Sequence, residues 1–541
     1  MTKRIVSAAN PSAEHATKER WLFWACFVAL VATAFGFVTR AFIVNEWGSD
    51  FGLSETQKGE ILGAGLWPFA ISIVLCSFVI DKFGYGRSMA FAFTCHVSSA
   101  IITIVAPFYF DPYWSLYIGT FIVALGNGSV EAVINPVVAT MFPRQKTKWL
   151  NILHAGWPGG LVLGGLLTLS MNTDGLVGRF FAETITWHWK IGLIVIPTLI
   201  YGAMLLSCRF PISERVMAGV PYKTMLQEAG IIGCLITTSL IVWEVTRVCA
   251  EMQLFLHQWS DNALLAMRIG ITVLFTIPFA IYTKSLGRWL FSFLLLIMIL
   301  LATTEVGTDA WIKELMGPEV NKLWGLGLDG GWVLVYSATI MMVLRFCAGP
   351  ICRVLSPLGM LAISCVLAAM GLAFLSKATG SILLLAATIY GIGQTFFWPT
   401  TLGVVSERFP KGGALTLNMI SAVGLLGVGV FGTPWLGSIQ DEQIKQGLQS
   451  TAPGLYEAVV GEPRKSVLGT YHPLNTEKVK SLDNSQQQLV SQAQLGAKKH
   501  ALLSVVILPL IMFACYMILI VYFRAKGGYR PIELSQPPAM E

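Results

Sequence analysis

The chain alternates long apolar stretches with short polar links. Runs of roughly 20 apolar residues recur along it, each long enough to cross a bilayer as a helix. The pattern predicts about fourteen spans. The first six cover residues 21–44, 58–80, 88–107, 113–141, 149–171 and 189–208. A polar link at 209–229 follows, then two spans at 230–249 and 265–282. The remaining spans are 289–306, 332–347, 357–375, 381–405, 413–436 and 501–523. Between the last two lies a polar segment, 437–500, rich in Gln, Ser, Lys and Glu. It reads as an accessory cap with amphipathic helical pieces around 477–494, or as an unstructured insert.

Two stretches in opposite halves share a layout. Residues 126–165 read GNGSVEAVINPVVATMFPRQKTKWLNILHAGWPGGLVLGG, and residues 391–432 read GIGQTFFWPTTLGVVSERFPKGGALTLNMISAVGLLGVGVFG. Both begin Gly-x-Gly, carry a proline inside the apolar run and close on Phe-Pro, at Phe142-Pro143 and Phe409-Pro410. Both resume with Leu-Asn at the same spacing, at Leu150-Asn151 and Leu417-Asn418. Gly160 and Gly165 then align with Gly427 and Gly432. A polar element repeated in the two halves of an apolar chain marks a secondary transporter.

Composition supports a membrane protein: 541 residues, 55% hydrophobic and 12% charged. The net charge of +7 does not point to nucleic acid, because the basic residues sit in short loops between the runs. The 10 Cys are scattered singly, as at Cys26, Cys76, Cys347 and Cys515, with no metal spacing. No metal site and no cofactor is expected. Neither HExxH, GxSxG nor a phosphate loop occurs, so no catalytic residue is assigned and the chain is not read as an enzyme.

The loop charges set an orientation. Lys82 and Arg87, Arg144 with Lys146 and Lys148, Arg209 with Arg215 and Lys223, and Lys284 with Arg288 fall on one side. Arg353, Arg408, Lys411 and both tails join them, while the opposite short loops carry chiefly Lys58, Arg179 and Lys377. By the positive-inside rule both termini are cytoplasmic. The tail up to Arg20 lacks a signal-peptide cleavage pattern, so the first span serves as an uncleaved insertion signal. The expectation is a monomer, multi-pass in a cell membrane such as a bacterial inner membrane.

The loop after the second span reads SFVIDKFGYGR. It resembles the cytoplasmic loop signature of the major facilitator superfamily, a Gly-x-x-x-Asp-Arg/Lys-x-Gly pattern. Ser77 replaces the usual first glycine, while Asp81, Lys82 and Gly84 stand as expected. RFCAGPICRVLSPLG, from Arg345, looks like its degenerate counterpart in the second half. The resemblance implies an all-α integral membrane fold of two pseudo-symmetric six-helix bundles. The two surplus spans form an inserted hairpin, which proton-coupled oligopeptide transporters carry at the same place, though none of their motifs occurs here. The chain then divides into a tail (1–20), an N-terminal bundle (21–208), a cytoplasmic linker (209–229) and the hairpin (230–283). A C-terminal bundle (284–523, containing the 437–500 loop) and a tail (524–541) complete it.

Within the superfamily, VEAVINP followed by Leu-Asn is similar to the fucose–proton symporter group, whose fourth span carries a Glu-x-x-x-Asn-Pro acid. Glu131, Asn135 and Pro136 match it. The chain departs from the group at His154 and Trp157, where the group has Gln and Asn. It departs again at Arg40, where the group has Asp. The resemblance implies a secondary transporter importing a sugar-like solute with protons by alternating access. Arg40 favours an anionic sugar derivative or other organic anion as the alternative. A transport-dead sensor is disfavoured by the intact Glu131 and Asp81.

A carboxyl inside a span costs on the order of 3 kcal/mol and marks a pathway, so Glu131 is the candidate proton carrier. The bland reading is a permanently protonated acid bonded to a carbonyl or to His154. His154 reads as a proton relay, a hydroxyl ligand or a packed structural histidine, and His96 as structural. Counting about 1.5 Å per residue places Arg40 and Glu305 at similar heights, so they could face each other as an outer gate. Arg40 could also dock an anion or snorkel to headgroups. Trp157 and Trp398 precede Pro158 and Pro399, and with Gln394 they could form a sugar-stacking cavity; plain packing is the other reading. Asn151 and Asn418 read as helix cross-links. Gly156, Gly160 and Gly164 give a small-residue face suited to a sliding interface between the halves, or to static packing. The loop signature implies a cytoplasmic gate at Asp81, Lys82, Gly84 and Arg87, with Asp81 against the helix start near Gly412-Gly413. Glu244 and Arg247 read as a local pair.

Overall fold

A computed structural model describes residues 11–172, 177–178, 185–252, 256, 258–324, 331–466 and 469–534. Arg179 and the outermost residues of both tails lie outside them. Among the described residues, thirteen helices are long and apolar enough to cross a membrane, and one bent helix pair makes a fourteenth span. They are α1 (Pro11–Phe51), α2 (Thr56–Phe83), α3 (Tyr85–Val105), α4 (Pro112–Met141), α5 (Lys146–Ser170) and α6 (Trp187–Leu206). The hairpin is α7 (Tyr222–Glu251) and α8 (Asp261–Thr283). The second half holds α9 (Trp289–Trp324), α10 (Gly331–Phe346), α11 (Pro357–Leu375), α12 (Ile382–Arg408), α13 (Pro410–Ser450) and α14 (Asn484–Ala525).

Local sequence sets the ends of these helices. At the start of α4 the Asp111 side chain accepts from the Trp114 N–H at 3.0 Å, and Pro112 opens the first turn. Pro143 disfavours a helical Phe142, and α4 stops at Met141. Ser356 and Pro357 start α11 in the same way. A positive φ of 82° at Gly84 joins α2 to α3.

Helices α1–α6 form one six-helix bundle and α9–α14 the other, as pseudo-symmetric halves. In the first, α1 packs on α5 and α6, and α4 on α2 and α3; in the second, α11 packs on α12 and α14, and α9 on α13. The bundles meet where α2 touches α13, where α5 touches α10, and where the start of α5 touches the end of α12. The two ends of this contact differ in kind. Away from the basic loops it is apolar, with Leu161, Val162 and Leu169 of α5 against Val335 and Ala338 of α10. At the end carrying the basic loops it is polar.

The hairpin begins at Gly230, with φ at 62°. A Cβ there would lie 2.0 Å from the Gly287 nitrogen, so only glycine allows the entering and leaving chains to cross. The crossing is fastened by Ile231 N–H on the Ser285 carbonyl (2.9 Å) and Arg288 N–H on the Glu228 carbonyl (3.1 Å). Helix α7 packs on α13, and α8 packs on α7, presenting Leu274, Phe275 and Ile281 outward. Glu244 and Arg247 do form a local pair, 2.7 Å apart.

The 437–500 segment is structured, which sets aside its reading as an unstructured insert. Helix α13 passes a π turn at Val428–Gly432 and runs on as Thr433–Thr451, and α14 begins at Asn484. The two extensions pack on each other and enclose a small core of Ile444, Leu448, Leu455, Tyr456, Val459, Val490 and Ala497. A short strand pair, Arg464–Ser466 and Gly469–Tyr471, is the one sheet among the described residues. The amphipathic pieces appear as Thr476–Lys480 and the start of α14.

Candidate functional site

The site begins with Glu131, which is 5% exposed in the interior of α4. One turn on, Asn135 folds its amide back. Its Nδ2 donates to the Glu131 carbonyl at 3.2 Å and to Oε1 at 3.0 Å. Asn135 Oδ1 then accepts from His154 Nε2 at 2.9 Å. Glu131 Oε1 and His154 Nε2 are 3.8 Å apart, too far for a hydrogen bond. The amide therefore sits between acid and imidazole, and a proton on Nε2 is what its oxygen requires.

His154 closes the first piece of α5, Lys146–His154. Its carbonyl accepts from Arg345 Nη1 of the second bundle at 2.9 Å. Arg345 Nε donates to the Thr395 carbonyl at 2.8 Å, and Nη2 lies 3.3 Å from Glu305 Oε1. Arg345 is 2% exposed, although the sequence reading placed it at the end of the span 332–347, as the first residue of the degenerate loop counterpart. The span does not end there. Helix α10 bends by 57° at Cys347 and continues as Ala348–Val354, so Arg345 stands about 21 Å along it, inside the bundle. One polar chain thus runs from Glu131 through Asn135 and His154 to Arg345 and Glu305, crossing from one bundle to the other.

Several expected placements change. Arg40 does not face Glu305, whose guanidinium partner is Arg345. Nor does Arg40 snorkel: it is 3% exposed, donating to the Gly36 carbonyl at 3.1 Å and to Ser99 Oγ on α3 at 2.8 Å. His96 is structural, held between Asn127 Oδ1 (3.0 Å) and the Tyr201 hydroxyl (3.1 Å). Trp157 lies against Phe37 and Trp398 against Gly424, with no ring contact between them among the described residues. Gln394 is buried, its Nε2 3.7 Å from Met341 Sδ on α10. The face of Gly156, Gly160 and Gly164 packs on α1 of its own bundle; a Cβ at Gly160 would meet the Val31 carbonyl at 2.4 Å. Static packing within one bundle replaces the sliding interface. Asn151 and Asn418 are cross-links: Asn151 Nδ2 reaches Thr400 Oγ1 at 3.2 Å, and Asn418 Nδ2 the Ala132 carbonyl at 3.2 Å.

The basic end carries a second layer. Asp81 does not reach the start of α13 directly. Arg215 of the linker stands between them, its Nη2 2.5 Å from Asp81 Oδ2 and its side chain 3.4 Å from where a Gly413 Cβ would lie. Ser213 Oγ donates to Asp81 Oδ1 at 3.1 Å. Lys82 and Arg87 are exposed around the Gly84 turn. Lys146 joins Glu214 (2.6 Å) and the Ser406 carbonyl (3.1 Å), and Glu407 accepts from Thr147 Oγ1 at 2.6 Å.

Three residues in these layers escaped the sequence reading: Arg345, Arg215 and Glu407. Arg215 and Glu407 look like ordinary loop and helix-end charges. For Arg345 a signal was present, because a basic residue followed by Phe-Cys-Ala-Gly-Pro is compatible with a broken span as well as with a loop.

A profile of the Major Facilitator Superfamily matches residues 25–445. No curated protein sequence matches the chain. Among solved structures it is similar to the E. coli fucose:proton symporter, at 14% identity and a TM-score of 0.54, over 91% of this chain and 98% of that one. It is also similar to the proton:xylose symporter XylE, at 13% identity and 0.55, over 94% and 96%. A human organic anion transporter follows, at 12% and 0.52, over 92% and 99%. At these identities the structures share a fold. The profile spans most of the sequence, and the chain belongs to the Major Facilitator Superfamily of membrane transporters.

Proposed function

We propose that the protein is a secondary active transporter that imports a sugar-like solute with protons by alternating access. The observation that carries this reading is the polar chain from Glu131 to Glu305. A carboxyl buried in one bundle is bonded through Asn135 to His154, whose carbonyl Arg345 holds from the other. A change of protonation at Glu131 alters what Asn135 accepts and donates, and so bears on a contact between the bundles. The named symport activities of two fold neighbours are consistent with this. The basic end is then cytoplasmic with both termini, the cap faces outward, and the monomer lies in a cell membrane such as a bacterial inner membrane. Asp81 and Arg215 act as the cytoplasmic gate.

In proteoliposomes with a proton gradient, Glu131→Gln mimics the protonated acid. It should abolish uphill accumulation and keep counterflow exchange. Uphill transport surviving in the variant defeats the assignment. An anionic solute is the second reading; it requires Arg345 to exchange Glu305 for the solute, since Arg40 lies off the polar chain. Arg345→Lys would then weaken binding sharply, because Lys does not reproduce the bidentate fork.

A further inference from the structure

In an α-helix the N–H of residue i bonds to the carbonyl of residue i−4, and proline has no N–H. Pro136, Pro158 and Pro399 therefore each free one carbonyl, those of Ala132, His154 and Thr395. The neighbouring helical bonds are present: Gly159 N–H reaches the Ala155 carbonyl at 3.0 Å, and Thr400 N–H the Phe396 carbonyl at 3.2 Å. Each freed carbonyl accepts from a side chain of the second bundle. Asn418 Nδ2 serves Ala132 (3.2 Å), Arg345 Nη1 serves His154 (2.9 Å) and Arg345 Nε serves Thr395 (2.8 Å). Two of these bonds cross between the bundles.

The acceptors adjoin the coupling acid. Ala132 follows Glu131 in the chain, and His154 holds Asn135, which holds Glu131. When the bundles part, Asn418 and Arg345 leave with the second bundle, and the carbonyls of Ala132 and His154 need new donors. An O–H group satisfies a carbonyl; a carboxylate does not. Arg345 keeps Glu305 beside it within its own bundle, so its charge stays compensated and draws an anion weakly.

We propose that the carbonyls of Ala132 and His154 form a solute site for a neutral polyhydroxyl compound, occupied by Asn418 and Arg345 while the bundles are in contact. This rests on the transport reading and narrows its solute to hydroxyl donors.

Alanine supplies the missing N–H and leaves every other side chain of the site in place. Pro136→Ala and Pro158→Ala let the carbonyls close within their own helices, and alanine raises helix propensity, so folding is retained. The first measurement uses nanodiscs without solute and spin-label pairs across the bundles, Tyr109 with Lys377 and Lys82 with Lys411. The bundle-contact population should fall about three- to tenfold relative to the parted one, the worth of one hydrogen bond. The second is a thermal-shift panel of neutral monosaccharides, their single-deoxy analogues and the matching uronates. A neutral sugar should bind the parent protein better than its uronate. Pro158→Ala should weaken that sugar about three- to tenfold, and the deoxy analogue lacking the paired hydroxyl should lose nothing further. Unchanged distances and affinities in both variants overturn the proposal, as does a uronate that binds better than its neutral sugar. A panel in which no polyol shifts the parent overturns the solute class. Failure of the Glu131→Gln experiment concerns proton coupling alone, so the two readings fall separately.

Discussion

The guanidinium of Arg345 meets the carboxylate of Glu305 at 3.3 Å, with both side chains buried inside the second bundle. Removing one partner leaves the other buried and uncompensated, at a cost of about 3–5 kcal/mol. Glu305→Leu should therefore lower the thermal unfolding temperature of the purified protein by several degrees. Arg345→Leu combined with Glu305→Leu should recover part of that loss, because neither charge remains. Equal losses in the single and double variants would show that the pair is not coupled.

Arg40 gives the opposite expectation. No carboxylate lies within ion-pair distance of it among the described residues, and its Nε has no acceptor. An apolar side chain of similar length avoids burying that charge. Arg40→Met should leave the unfolding temperature unchanged or raised, and solute affinity unchanged. A tenfold or larger loss of affinity would restore Arg40 as a docking residue.

What the sequence made legible divides along a physical line. Apolar runs of bilayer length are set by local composition, so the fourteen spans and the hairpin beginning at Gly230 were readable. Glu131, Asn135 and His154 were readable because a polar group within an apolar run is conspicuous. The partners of those groups were not, because pairing across bundles depends on helix rotation and bends that hydropathy does not encode. Glu305 was assigned to Arg40 from height alone, whereas the bend at Cys347 brings Arg345 inside. The three prolines were visible, and the demand they make for outside donors is the signal that points to Arg345 and Asn418.

The gate at the basic end should behave as a unit of Asp81 and Arg215. The two side chains pair at 2.5 Å, and Arg215 wedges between Asp81 and the Gly413 turn. Asp81→Asn and Arg215→Met should each raise the rate at which a cysteine at Lys411 reacts with a bulky thiol reagent. The double variant should match the singles, since residues in one contact are not additive. Additive increases would mean that Asp81 acts on the α13 start without Arg215.

The C-terminal tail should hold the same end closed through Glu407. This buried acid accepts from Thr147 of the first bundle at 2.6 Å and from the Tyr529 hydroxyl at 2.8 Å, while its carbonyl accepts from Ile532 N–H at 2.8 Å. Arg408 beside it donates to the Arg530 carbonyl at 2.5 Å and lies 4.7 Å from the Phe523 ring. Burial first, and then the Glu407 charge, hold the Tyr529 phenol well above its usual pKa. It therefore stays a donor at every physiological pH. A hydrogen bond to a charged group contributes about 1.5–3 kcal/mol, comparable to the few kcal/mol that separate transporter states. Tyr529→Phe removes that bond alone and should raise thiol reactivity at Lys411 by about tenfold or more. Truncation after Gly528 removes Ile532 as well and should raise it further. Thr147→Val, which cuts the same acid from the first bundle, should move reactivity in the same direction. Parent-like reactivity in Tyr529→Phe and in the truncated chain would show that the tail rests on the gate without holding it.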